Sequence, residues 1–245
     1  STGTATITTL ANKQSGQISG LGAGGRGVDL SGGGTITTLS NLGTITGNSS
    51  GLYLEAGSYY GDPIPAVVTT VTNLGTISGQ NATDVNNVSG QIGTLNNLQG
   101  GTDALSYGGV LPTNYNITFN TATTYGVLAA TTITGTTAFG IDTVNSIGIP
   151  ENALITGVLS GIPENALGDS TVDGTVDGTT GSYSWQLRET STQGSWDLCI
   201  GNCDNPPAAP AQPIPVGSKW FVWILGALTV LTGLIASRST RRNLI

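Results

Sequence analysis

The sequence predicts an all-β fold: a β-solenoid (β-helix) over residues 1–110, a β-rich capping region over 111–203, and a single C-terminal hydrophobic helix. Three observations carry this. Gly, Thr, Asn and Ser dominate while charged residues make up only 9% of the 245, against about 25% in an average globular chain. Val, Ile and Leu stand between them in small groups, which suits many short strands and tight turns. A motif with Ile, Leu, Asn and Gly at fixed places returns along the first hundred residues.

Its clearest copies are Ile36-Thr-Thr-Leu39-Ser-Asn41-Leu42-Gly43-Thr-Ile45-Thr-Gly47 and Val68-Thr-Thr-Val71-Thr-Asn73-Leu74-Gly75-Thr-Ile77-Ser-Gly79. A looser copy has Ile7, Leu10, Asn12, Ile18 and Gly20, and another has Ile92, Leu95, Asn97 and Leu98; the start-to-start spacings are 29, 32 and 24. A short strand cannot bury its aliphatic residues alone, whereas stacked repeats join them into one apolar column. The Asn-Leu-Gly step is expected at a corner, where Asn tolerates unusual backbone angles and Gly removes a steric penalty. Residues Leu21–Gly33 and Ser49–Ala66 read as insertions between copies, the second carrying Tyr53, Tyr59 and Tyr60 as a possible contact surface. The Asn-x-Gly-Thr-Ile-x-Gly pattern resembles the rungs of β-helical passenger segments in bacterial autotransporter-like surface proteins.

From Leu111 the pattern changes. Asn114–Asn120 alternates apolar with polar residues, the period-two mark of a half-buried strand. Tyr125–Leu128, Phe139–Ile141, Tyr183-x-Trp185-x-Leu187 and Trp196-x-Leu198-x-Ile200 are further strand candidates. This run resembles a segment found at the end of repeat-rich β surface proteins of proteobacteria; it is expected to cap the open end of the stack, where unpaired backbone groups would otherwise be exposed. Gly148–Leu154 reappears as Gly161–Leu167 and is expected to form a second, similar turn. Cys199 and Cys203, four apart, are expected to close a small disulfide loop in an exported chain. Residues 204–217 are Pro-rich and predict a semi-rigid linker.

Residues 218–245 hold a hydrophobic stretch followed by arginines. Nothing from Trp220 to Ala236 is charged, and a helix rising about 1.5 Å per residue would cover a thin bilayer there. Phe221 and Ala236 bound it, and Gly226 and Gly233 allow another helix to approach closely. Arg238, Arg241 and Arg242 follow it as a basic stop, against Lys219 alone before it, so the preceding residues are expected outside the cytoplasm. Ile214, Pro215, Ser218 and Trp220 match the Ile-Pro-Thr-Leu-Ser-x-Trp pattern, with Val216 and Gly217 in place of Thr-Leu. This tail resembles the IPTL-type C-terminal sorting signal of Gram-negative bacteria, a relative of the PEP type, and the resemblance implies delivery to the cell surface. The sequence contains no Met, which is consistent with an export signal removed ahead of Ser1.

Charge and residue content narrow the function. Residues 1–216 carry three basic side chains, Lys13, Arg26 and Arg188, against fourteen acidic ones, a net charge of −11. Phosphate binding needs clustered cations, so no nucleic-acid partner is expected. The absence of His excludes Ser-His-Asp and Cys-His catalytic units and His-ligated metals. Asp169, Asp173 and Asp177 are spaced by four but match neither an EF-hand loop nor the nonapeptide calcium repeat, so neither metal nor cofactor is expected.

The expected function is therefore structural: a cell-surface protein, not an enzyme, whose main partner is further copies of itself in a fibre, sheath or layer. It would touch the membrane at least transiently through residues 220–236. The alternative is a surface adhesin or glycan-binding module using Tyr53, Tyr59 and Tyr60. A polysaccharide-active enzyme is the weakest reading, because Asp29, Glu55 and Asp62 do not recur at the repeat spacing.

Overall fold

The computed structural model describes residues 5–168, 172–178 and 181–203. Over these the chain is all-β, with one 3-10 turn at Glu164–Ala166. They lie within one compact unit, Ser1–Pro206. The linker 204–217 and the hydrophobic helix and arginines of 218–245 lie outside the described residues.

The strands follow the repeat. The first repeat holds β1 (Thr6–Asn12), β2 (Gln17–Gly20) and β3 (Val28–Ser31), and the second β4 (Thr35–Asn41), β5 (Thr44–Gly47) and β6 (Leu52–Glu55). A hairpin of β7 (Gly57–Tyr59) and β8 (Asp62–Ile64) precedes the third, β9 (Val67–Asn73), β10 (Thr76–Gly79) and β11 (Val85–Asn87). The fourth has β12 (Gln91–Asn97) and β13 (Leu105–Val110). The fifth has β14 (Asn114–Ile117), a small hairpin of β15 (Phe119–Thr121) and β16 (Thr124–Tyr125), and β17 (Leu128–Thr134). After β18 (Ala138–Ile141) and β19 (Ala153–Ser160) come β20 (Asp173–Asp177), β21 (Ser182–Glu189) and β22 (Trp196–Ile200).

Equivalent strands pair in parallel, each with its counterpart one repeat on. Ladder A runs β1-β4-β9-β12-β14-β18 and ladder B runs β2-β5-β10. Ladder C runs β3-β6-β11-β13-β17-β19, and β22, β21 and β20 then extend it in antiparallel fashion.

The register places the repeat residues side by side. Ile7, Ile36, Val68 and Ile92 form one row and Leu10, Leu39, Val71 and Leu95 another, both on ladder A. Ile18, Ile45 and Ile77 align on ladder B, and Val28, Leu52, Val85 and Tyr107 on ladder C. Away from the first repeat these residues are buried and belong to one core. In ladder A the Leu row continues into Tyr115 and Phe139, and Phe139 meets Trp185 of β21 edge-on at 5.5 Å between ring centroids. An aliphatic column thus passes into an aromatic end.

Four expectations change. The segments Leu21–Gly33 and Ser49–Ala66 are not simple insertions, since they contain β3 and β6, the strands of ladder C. Val-Asp-Leu-Ser and Leu-Tyr-Leu-Glu share inward positions but few residue types, so a motif defined by letters passes over them. Second, parallel pairing continues past residue 110 through β14, β17, β18 and β19. Ile117 and Ile141 occupy the register position of Asn97 there, which hides the motif while keeping its geometry. Third, the two Gly-Ile-Pro-Glu-Asn-Ala-Leu copies fold differently, one leading into β19 and the other forming the 3-10 turn.

The fourth concerns Asn-Leu-Gly. None of Asn12, Asn41, Asn73 and Asn97 has positive φ; instead each buries its side chain. The glycine is needed for close approach, because a Cβ on Gly43 would run into the carbonyl of Gly16, and one on Gly75 into that of Gly43.

Candidate functional site

The polar interior is a stack of side-chain amides. Asn12 Nδ2 donates to Asn41 Oδ1 at 2.8 Å, Asn41 Nδ2 to Asn73 Oδ1 at 2.8 Å, and Asn73 Nδ2 to Asn97 Oδ1 at 3.1 Å. Each inward Asn supplies a donor to one neighbour and an acceptor to the other, so a polar row can cross a core without orphaned groups. Gln99 closes the row where ladder B stops. Its amide accepts from Ile77 N at 2.8 Å and donates to Ile77 O at 3.1 Å, as the peptide of another strand would, and its oxygen also accepts from Asn73 Nδ2 at 3.2 Å. The recurrence of Asn was legible in the sequence, whereas Gln99 occurs once and left no periodic signal.

Buried tyrosines fix the next repeats. Tyr107 Oη donates to Val110 O and accepts from Asn87 Nδ2, and Tyr115 Oη accepts from Asn97 Nδ2. Burial pushes both phenols well above their ordinary pKa, with the asparagine hydrogen bonds opposing weakly.

The tyrosines expected as one contact surface separate. Tyr53 is on β6, only 7% exposed, with the Arg26 guanidinium 3.1 Å above its ring and its hydroxyl donating to Glu55 Oε2 at 2.9 Å. Arg26 also pairs with Asp29 at 2.9 Å. Burial, then the Glu55 hydrogen bond, raises the Tyr53 pKa, while Arg26 opposes. Tyr53 is therefore a covered residue of ladder C, contrary to the expectation of an exposed loop position.

Tyr59 and Tyr60 belong instead to the β7–β8 hairpin, their rings edge-to-face at 4.3 Å. Tyr60 is 91% exposed and has φ +50, followed by Gly61 at φ +92. Positive φ is unfavourable for a bulky side chain, and Asn or Asp would adopt it more readily. Tyr60 and Gly61 are the two residues between the paired Tyr59 and Asp62, where the hairpin turn itself requires positive φ.

Of the carboxylates weighed for catalysis, Asp29 is paired with Arg26 and Glu55 accepts from Tyr53, while Asp62 is at the hairpin tip. Asp173 and Asp177 are on β20, and Asp169 lies outside the described residues. No group of three or more metal-ligating side chains occurs among the described residues. Cys199 and Cys203 are disulfide-bonded, with Cα atoms 5.6 Å apart. Ile214, Pro215, Ser218, Trp220, Phe221, Gly226, Gly233, Ala236, Arg238, Arg241 and Arg242 lie outside the described residues.

Two surfaces remain. Among the described residues β1, β2 and β3 are the outermost strands of their ladders, and Ile7 is 47% exposed where its equivalent Ile36 is 1% exposed. On ladder B, Gln17, Ser19, Thr44, Thr46, Asn48 and Gln80 line a groove of about 500 Å³. Both surfaces offer hydrogen bonds and aliphatic area; the groove is lined by uncharged residues, while the strand edge carries the Arg26–Asp29 pair at β3. Comparison with protein-family models, curated proteins and solved structures returned no match for this chain.

Proposed function

We propose that the three parallel ladders are the faces of one β-solenoid, and that the protein is a structural, non-enzymatic component of a bacterial cell surface that assembles with copies of itself into a fibre, sheath or layer. The observation that carries this reading is the in-register interior. Buried aliphatic rows and an asparagine stack run from repeat to repeat, giving a stiff body in which most inward side chains serve the stack itself. Export and delivery are part of the same proposal: the sorting-signal-like tail and the apolar stretch 220–236 hold the body outside the cytoplasm, at first through the inner membrane. Negative-stain electron microscopy of protein from native cells tests it. Regular filaments or sheets are expected, and particles that stay monomeric at every concentration would overturn it.

A second reading, a surface adhesin that binds glycans, is favoured by the exposed Tyr60 beside Tyr59. An aromatic pair offers a large stacking area at little entropic cost. Tyr59→Ala/Tyr60→Ala should abolish retention on a glycan array if this reading holds, and unchanged retention rejects it.

A further inference from the structure

We infer that the outer face of ladder A is the surface on which a second copy of this chain packs, sheet against sheet; this rests on the self-assembly reading above. Charge favours this face. Strands β1, β4, β9, β12, β14 and β18 contain no Asp, Glu, Lys or Arg. Ladder C, by contrast, carries Asp29, Glu55, Asp173, Asp177, Glu189 and Asp197. Two copies of an acidic body repel wherever carboxylates meet, and interface cores are depleted of charge. Ladder A is the six-stranded parallel face on which copies can meet without that repulsion.

Its side chains suit close packing. Thr9, Thr38, Thr70 and Thr94 stand in one register row, and beside it run Ala11, Ser40, Thr72 and Asn96. These side chains are short, and β-branched threonines have little rotamer freedom to lose on contact. Rows repeating at the interstrand spacing of about 4.8 Å let two such faces interdigitate as ladders of Thr and Asn do in dry sheet packings.

Its area is also sufficient. Six strands at about 4.8 Å and up to seven residues at about 3.3 Å give a face of about 24 by 20 Å, so a pair buries about 1,000 Å². That lies near the lower limit for a specific interface, so one contact is weak and repetition along an assembly makes it persistent. Ladder B has only three strands and so offers about half the area; each face carries a groove of similar size, about 500 Å³ on ladder B and about 470 Å³ beside Val67, Thr69, Gln91 and Gly93 on ladder A, so area and not flatness separates them.

Site-specific cross-linking of the full chain in detergent tests this without interference from its apolar tail, since association through the tail has no reason to bring residue 70 of two copies together. Thr70→Cys is expected to give covalent dimers with a short bismaleimide, while Asn86→Cys on ladder C stays uncross-linked. Adding Thr38→Lys to Thr70→Cys places an unpaired ammonium in the contact and should cut dimer yield about tenfold or more. If wild type forms filaments but Thr70→Cys gives no dimer, or Asn86→Cys cross-links as readily, this face is the wrong one and the assembly reading stands. If wild type is monomeric throughout, both fall. If monomeric wild type is retained on insoluble neutral polysaccharide and Thr38→Lys is not, the occupant is a glycan and the inference is overturned.

Discussion

The laddered region, residues 5–160, and the antiparallel end, residues 172–178 and 181–203, solve the same packing problem by different means. Along the first four strands of ladder A, aliphatic residues recur at two inward positions and an asparagine at a third, and the neighbour of each is its own equivalent a repeat away. In the end, single large residues do the work: Trp185 meets Phe139, Trp196 Nε1 donates to Ile162 O at 2.7 Å, and Cys199–Cys203 closes the last turn. Stability in the ladders is spread over repeats and nearest-neighbour contacts, whereas in the end it is concentrated in a few side chains. Damage should therefore spread differently in the two regions.

Alkali should separate them most strongly. Tyr107 and Tyr115 keep their phenols neutral through burial, with pKa values raised above 10.0. Below about pH 10 the phenols are neutral in both folded and unfolded chains, so they add no pH dependence. Above it only the unfolded chain ionises, and stability falls by up to about 1.4 kcal/mol per pH unit for each phenol until the folded values are reached. Urea midpoints across the alkaline range should fall for wild type and be much flatter for Tyr107→Phe/Tyr115→Phe. An equal fall in the double variant would place the alkaline weakness elsewhere.

Trp196→Ala should cost about 3–5 kcal/mol, and Leu39→Ala about 2–5. Amide exchange should separate their locations: protection is lost first in β19, β21 and β22 for the tryptophan variant, and first in β4 and its neighbours β1 and β9 for the leucine variant. Uniform loss in both variants would mean that the two regions unfold as one unit.

Asn73→Ala opens the amide stack in its middle. The flanking amides keep some partners, Thr76 O for Asn41 and Gln99 for Asn97, so the expected cost is about 1–3 kcal/mol. A thermal midpoint equal to wild type would show that the stack contributes nothing net. Reducing Cys199–Cys203 should cost about 2 kcal/mol by the loop-entropy argument, with exchange rising near β22 and not in ladder A.

The smallest effect is expected from Ile7→Ala, under about 1 kcal/mol because the side chain is already half in solvent. Ile36→Ala, one repeat on in the same row, should cost about 2–5 kcal/mol. Similar losses from both would mean that β1 is covered in solution.

These contrasts also explain what the sequence made legible. The spacings of 29, 32 and 24 read from Ile7, Ile36, Val68 and Ile92 are those of the paired registers, because stacking like on like imposes a periodic letter pattern. Ladder C leaves no letter pattern, since its inward residues range from Val28 to Tyr107 to Ala130, preserving burial without preserving identity. Asn41 is visible as a recurring letter, but its letter pattern points to backbone conformation, because a side-chain stack shows only once the strands are in register. Tyr53 and Tyr60 look alike as letters, and what separates them is Arg26, distant in sequence and lying over one ring.

Equivalent residues of successive repeats touch, and the amide stack is where this contact is most specific. Side-chain amide NOEs, measured with selectively labelled asparagine, are predicted to link Asn12 to Asn41, Asn41 to Asn73 and Asn73 to Asn97, across separations of 29, 32 and 24 residues. Asparagine side chains that show contacts only within their own repeat, with none of these three links, would contradict the account.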